Sequence, residues 1–137
     1  MEKVAALFLG YIMEGMNKTI LIVEDSKLLR AVVRDELERN GFTVIEAEDG
    51  KLGLETALAQ HPDLIMLDLI MPVMDGMTMF KLLREDAWGK GVPVIMLTGS
   101  EDSVTSWVSG EQMDFMKKEN WMMDEVTTRV KNRLGMG

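Results

Sequence analysis

Hydrophobic residues in this chain fall into short unbroken runs, separated by longer stretches in which they recur every three or four positions. The unbroken runs predict strands over Thr19–Val23, Thr43–Ala47, Leu64–Leu67, Val92–Leu97 and Met113–Met116. Their apolar residues do not alternate with polar ones, as expected of parallel strands covered on both faces. The first helix starts at Ser26 as a cap, carries Leu28, Leu29, Val32, Val33 and Leu37 on one side, and ends at Gly41. The second runs from about Gly50 to Gln60, turns Leu54, Ala57 and Leu58 inward, and is stopped by His61-Pro62. The third follows Asp75-Gly76 and buries Phe80, Leu82 and Leu83. A poorer fourth spans roughly Asp102 to Ser109, and a fifth runs from about Asp124 to Leu134. Strands alternating with helices at this spacing predict right-handed crossovers and a three-layer α/β sandwich.

Composition sets bounds on this picture. A chain of 137 residues suits one domain with one core, and no linker, repeat or low-complexity tract divides it. The absence of cysteine excludes disulfides, thiolate metal sites and cysteine nucleophiles, and fits a reducing, cytoplasmic setting. A formal net charge of −8 argues against direct nucleic-acid binding. The apolar run Val4–Met13 behind Lys3 is too short to span a bilayer, and no small-residue cleavage site follows it. Residues 1–16 therefore read as a start-site extension or an extra helix, and residues 17–137 as the domain, with no membrane partner.

The chemistry gathers where such sheets place it, at the carboxyl ends of the strands. Those ends read Glu24-Asp25, Asp68, Thr98-Gly99-Ser100 and Lys117-Lys118. Neighbouring carboxylates repel one another unless a cation sits among them. Oxygen ligands without His or Cys favour Mg²⁺, which keeps several waters and readily takes a phosphoryl oxygen. The Thr98 hydroxyl and the Lys118 ammonium supply the donors that a transferring phosphoryl group needs, with Lys117 a rival for the second role. Asp68 would then be the nucleophile, forming an aspartyl phosphate. A flavin site fits poorly, because the loop after the first strand is acidic and would repel a phosphate. Asp68-Leu69-Ile70 also lacks the Asp-x-Asp pattern of aspartate-dependent phosphatases.

Over about Lys18 to Leu134 the chain resembles the receiver domains of two-component response regulators, a chemotaxis-regulator-like superfamily. The resemblance rests on the acidic pair Glu24-Asp25, the run Asp68-Leu69-Ile70-Met71-Pro72-Val73-Met74-Asp75-Gly76, Thr98-Gly99, and Phe115 with Lys118. It implies a flavodoxin-like fold with strand order 2-1-3-4-5. Asp68 would accept phosphate from a histidine kinase or histidine phosphotransferase. Mg²⁺ would be held by Glu24, Asp25, Asp68 and the main-chain carbonyl of Ile70. Thr98 would move toward the phosphoryl group and let Phe115 turn inward, remodelling the face of helix four, strand five and helix five. That face would control a downstream protein target or output domain, and a homodimer is compatible with it. The chain would be a signalling module catalysing only its own phosphorylation and dephosphorylation. The alternative is a phosphate-independent interaction module on the same fold. Two departures from the family pattern stand out: the segment from Thr98 to Lys118 is short, and Glu119 stands where Pro usually follows the Lys.

Other conspicuous residues have plainer readings. Asp75-Gly76 is a turn and helix start. His61 is an exposed loop residue rather than a ligand. The fourteen methionines are adaptable core packing. Trp88, Trp107 and Trp121 are surface or groove fillers.

Overall fold

A computed structural model describes residues 2–5, 18–98, 113–117 and 123–136. Its elements are β1 (Thr19–Val23), α1 (Lys27–Arg39), β2 (Thr43–Ala47), α2 (Gly50–Gln60), β3 (Leu64–Asp68), α3 (Gly76–Glu85), β4 (Val94–Thr98), β5 (Met113–Lys117) and a C-terminal helix (Met123–Arg133). The strands form one parallel sheet of order β2-β1-β3-β4-β5. Residues 2–5 are helical and exposed. The expected fourth helix, Asp102 to Ser109, lies outside the described residues, as do Trp107 and Trp121.

Successive strand residues point to opposite faces, so continuous apolar runs make two cores. Ile20, Ile22, Leu64, Met66, Ile95 and Leu97 pack against Val33 and Leu37 of α1 and Val126 and Val130 of the C-terminal helix. Leu21, Val23, Ile65, Leu67, Val94 and Met96 pack against Ala57 of α2 and Met79, Phe80 and Leu83 of α3. This is the flavodoxin-like three-layer sandwich.

The helix starts follow capping chemistry. Ser26 accepts from the Leu29 amide, Asp49 from Leu52 and Asp75 from Thr78. Gly41, after α1, takes φ 91°, the left-handed conformation that favours glycine.

Four expectations need correcting. Leu28 is 74 % exposed, because the row Leu29, Val33, Leu37 faces the sheet and Leu28 lies about 100° around the helix from it. In α2 the buried positions are Gly50, Gly53 and Ala57, leaving Leu58 on the outer side. The small residues allow close packing: a Cβ at Gly53 would lie 2.8 Å from Val23 Cγ1. In α3 the buried row is Met79, Phe80 and Leu83, and Leu82 flanks it at 38 % exposure. β4 begins at Val94 rather than Val92, since Pro93 has no N–H for a ladder bond, although Val92 is still buried in the core.

His61 is exposed, as expected, and it caps the end of α2 with φ 48°. Its ring stacks on half-buried Trp88, with centroids 4.2 Å apart and planes 7° from parallel.

Candidate functional site

β1 and β3 are hydrogen-bonded neighbours in register, Val23 beside Leu67. The next residues along each strand, Glu24-Asp25 and Asp68, therefore reach the same end of the sheet. Carboxylate oxygens of Glu24, Asp25 and Asp68 all lie within 4.8 Å of one another. Glu24 and Asp68 are each 1 % exposed, while Asp25 is exposed and forms the open side of the cluster.

Glu24 and Asp68 are positioned by backbone chemistry. The Glu24 amide donates to the Ala47 carbonyl at 3.1 Å, and Glu24 Oε1 accepts from the Ser26 amide at 3.2 Å. Asp68 is the last residue of β3, and its Oδ1 accepts from the Ile70 amide at 3.3 Å. The Leu69 amide donates to Leu97 at 2.9 Å, continuing the ladder just past Asp68. Gly76 packs its Cα directly against the Asp68 carbonyl, where a side chain would collide, and its amide donates to Leu69 at 2.9 Å. The Asp75 carboxyl caps α3 from outside the cluster. Hydrogen bonding from the Thr78 backbone and side chain holds it below its ordinary value of 3.8.

Two buried carboxylates this close repel by roughly 3–4 kcal/mol at an effective dielectric near 20. A divalent cation among them converts that cost into attraction. The donor set is all oxygen and all carboxylate on the side chains, which suits Mg²⁺.

The other expected residues are placed less fully. Ile70 follows two positions after Asp68 with its side chain 76 % exposed, so only its main chain is available to the cluster. Thr98 ends β4 and pairs with Lys117 at the end of β5, at the same end of the sheet as the acids. Phe115 is half-buried against the core on the α2–α3 side, and its carbonyl accepts from Arg129 Nη1 at 3.0 Å. Lys118 and Glu119 lie outside the described residues.

Two features of the site had not been foreseen. The Gly50 amide donates to the Met74 carbonyl at 3.1 Å, tying the start of α2 to the loop after Asp68. Val73 in that loop has φ 68°. Asp49-Gly50 is legible in the sequence only as a helix start, and nothing local marks Val73 as left-handed.

The model of the response regulator receiver domain family matches residues 20–131, and the chain belongs to that family. Response regulators of two-component systems are its relatives. Over 119 residues it is 37 % identical to the alkaline phosphatase synthesis transcriptional regulatory protein PhoP of Bacillus subtilis, covering 85 % of this chain and 48 % of that one. It is 36 % identical to the phosphate regulon transcriptional regulatory protein PhoB of Klebsiella pneumoniae, covering 85 % of this chain and 51 % of that one. The chain thus spans about half the length of these curated relatives.

Solved structures agree with the fold. The receiver domain of a signal transduction histidine kinase from Syntrophus aciditrophicus superposes with TM-score 0.77 at 30 % identity, over 86 % of this chain and 90 % of that one. The receiver domain of a sensor histidine kinase from Pseudomonas aeruginosa PAO1, solved with a magnesium ion coordinated in its active site cleft, gives TM-score 0.76 at 26 % identity, over 86 % and 98 %. The Thermotoga maritima response regulator TrrA, solved with Mg(2+)-BeF, gives 0.71 at 28 %, over 85 % and 98 %. Among the described residues, no helix is long and apolar enough to cross a membrane.

Proposed function

We propose that this receiver domain is a phosphorylation-dependent switch in which Asp68 is the phosphoacceptor. The observation that carries the reading is the convergence of Glu24, Asp25 and Asp68 within 4.8 Å at the carboxyl end of the sheet. An Asp68 carboxylate oxygen attacks the phosphorus of a phosphohistidine. A P–O bond forms as the P–N bond breaks, and the imidazole leaves with the bonding electron pair. Attack by water on the same phosphorus later releases inorganic phosphate and restores the carboxylate. Glu24, Asp25, Asp68 and the Ile70 carbonyl would hold Mg²⁺, which supplies positive charge against the developing charge on the phosphoryl oxygens. Thr98 and Lys118 would donate to those oxygens, and Phe115 would change position with Thr98. The altered surface on β5 and its flanking helices would then speak to a target.

A sensor histidine kinase or histidine phosphotransferase would be the donor. The twofold length of relatives named transcriptional regulatory proteins supports an output domain as one form of target. A separate protein is the other. Residues 17–137 would form the receiver, preceded by an extension over 1–16. A phosphate-independent module is the weaker reading, since it gives no reason to gather three carboxylates, two of them buried.

The test is intact mass after incubation with Mg²⁺ and acetyl phosphate. One labile phosphoryl group on the wild-type chain and none on Asp68→Asn is expected. Equal labelling of both would overturn the assignment.

A further inference from the structure

The loop between β3 and α3 holds a strained turn close to the acid cluster. The Met74 amide donates to the Pro72 carbonyl at 2.8 Å, closing a three-residue ring around Val73. With φ 68° at its centre, this is the positive-φ form of the γ-turn, rare because it is strained and disfavoured further for a β-branched residue. Val73 is 78 % exposed, so packing of its own side chain does not hold it there. The backbone does. Met71 is buried in the core on one side of the turn. On the other, Gly76 donates to Leu69 at 2.9 Å. Between them, the Gly50 amide donates to the Met74 carbonyl at 3.1 Å. The approach is so close that a Cβ at Gly50 would overlap that carbonyl and lie 3.1 Å from Met74 Cβ.

From this geometry we infer that Gly50 is a positioning residue for the cation site. Its amide, in the first turn of α2, grips Met74 and holds Val73 in the strained turn. That fixes the short stretch back to Ile70, whose amide donates to Asp68 Oδ1 and whose carbonyl is the proposed main-chain ligand. A strained conformation persists only where surrounding structure over-determines it, and here the over-determination lies beside the reacting carboxylate. A loop held in place before the cation arrives has less freedom to lose on binding. The inference rests on the reading of Glu24, Asp25 and Asp68 as the Mg²⁺ site.

The test is calorimetric titration of Mg²⁺ into the full chain and three variants, each checked for folding by circular dichroism. Gly50→Ala places a methyl group on the Met74 carbonyl and should weaken Mg²⁺ binding about tenfold, the loss typical of a group that orients a ligand. Val73→Pro forbids a positive φ at an exposed position and should weaken it similarly. It decides the question if Gly50→Ala does not fold. Gly89→Ala is the control, because Gly89 lies in the loop that leads into β4, at the opposite end of the sheet, and its Cβ would collide with the Leu83 carbonyl of α3. It should leave Mg²⁺ affinity within twofold of wild type. Wild-type affinity in folded Gly50→Ala and Val73→Pro would overturn the inference, as would an equal loss in Gly89→Ala. No Mg²⁺ binding by the wild-type chain would instead remove the site itself.

Discussion

Glu24 and Asp68 come from neighbouring strands, are each 1 % exposed, and bring carboxylate oxygens within 4.8 Å. A divalent cation between them would offset the repulsion of like charges. Mg²⁺ should therefore raise the thermal midpoint. Binding to the folded state alone contributes roughly 2.7 kcal/mol at a hundredfold excess over Kd. Glu24→Gln removes one of the repelling charges. It should leave the metal-free protein as stable or up to about 1 kcal/mol more so, and reduce most of the Mg²⁺-dependent rise. Scanning calorimetry with and without Mg²⁺ reads both, and an undiminished rise in Glu24→Gln would exclude it as a ligand.

Asp75 gives the fold a pH dependence of definite sign. Hydrogen bonding from Thr78 lowers its carboxyl below 3.8 in the folded state, so the stability it contributes is present above that value. It is lost as pH falls below 3.8 and through the folded-state value. Asp75→Ala should cost about 1 kcal/mol at neutral pH, as loss of a helix cap does, and little at the acid end. Urea unfolding across that range measures the convergence of the two proteins.

The stacked pair His61 and Trp88 should be coupled. His61→Asn tolerates the left-handed cap and loses the stack, whereas Trp88→Leu keeps apolar contact with the core and loses the same stack. A double-mutant cycle should return a coupling of about 0.5–1.5 kcal/mol. A coupling of zero would mean that the rings merely lie side by side.

Val73 predicts a gain. Asn occupies positive φ at lower cost than a β-branched residue, so Val73→Asn should stabilise the fold by about 1 kcal/mol. Thermal unfolding would register this as a rise of several degrees.

Most of the architecture was legible because unbroken apolar runs mark strands buried on both faces. β1 and β2 fall where those runs do, while β3 and β5 each run one residue further, to Asp68 and Lys117. The acid cluster was legible for a related reason: parallel neighbours in register must deliver Glu24-Asp25 and Asp68 to the same end. Inward-facing positions on the helices were read less well. In α2 the buried positions are Gly50, Gly53 and Ala57, so the buried stripe there is one of small residues and Leu58 sits outside it. The tie from Gly50 to Met74 is a backbone bond between segments distant in sequence, and residue type carries no trace of it.

The phosphoacceptor can be read directly. Treat the chain with Mg²⁺ and acetyl phosphate, reduce it with borohydride, and sequence the peptides by mass spectrometry. An acyl phosphate on Asp68 is reduced to homoserine, so homoserine at position 68, dependent on both Mg²⁺ and the phosphodonor, is the expected result. Homoserine at another aspartate, or none at all in protein that binds Mg²⁺, would contradict the assignment of Asp68.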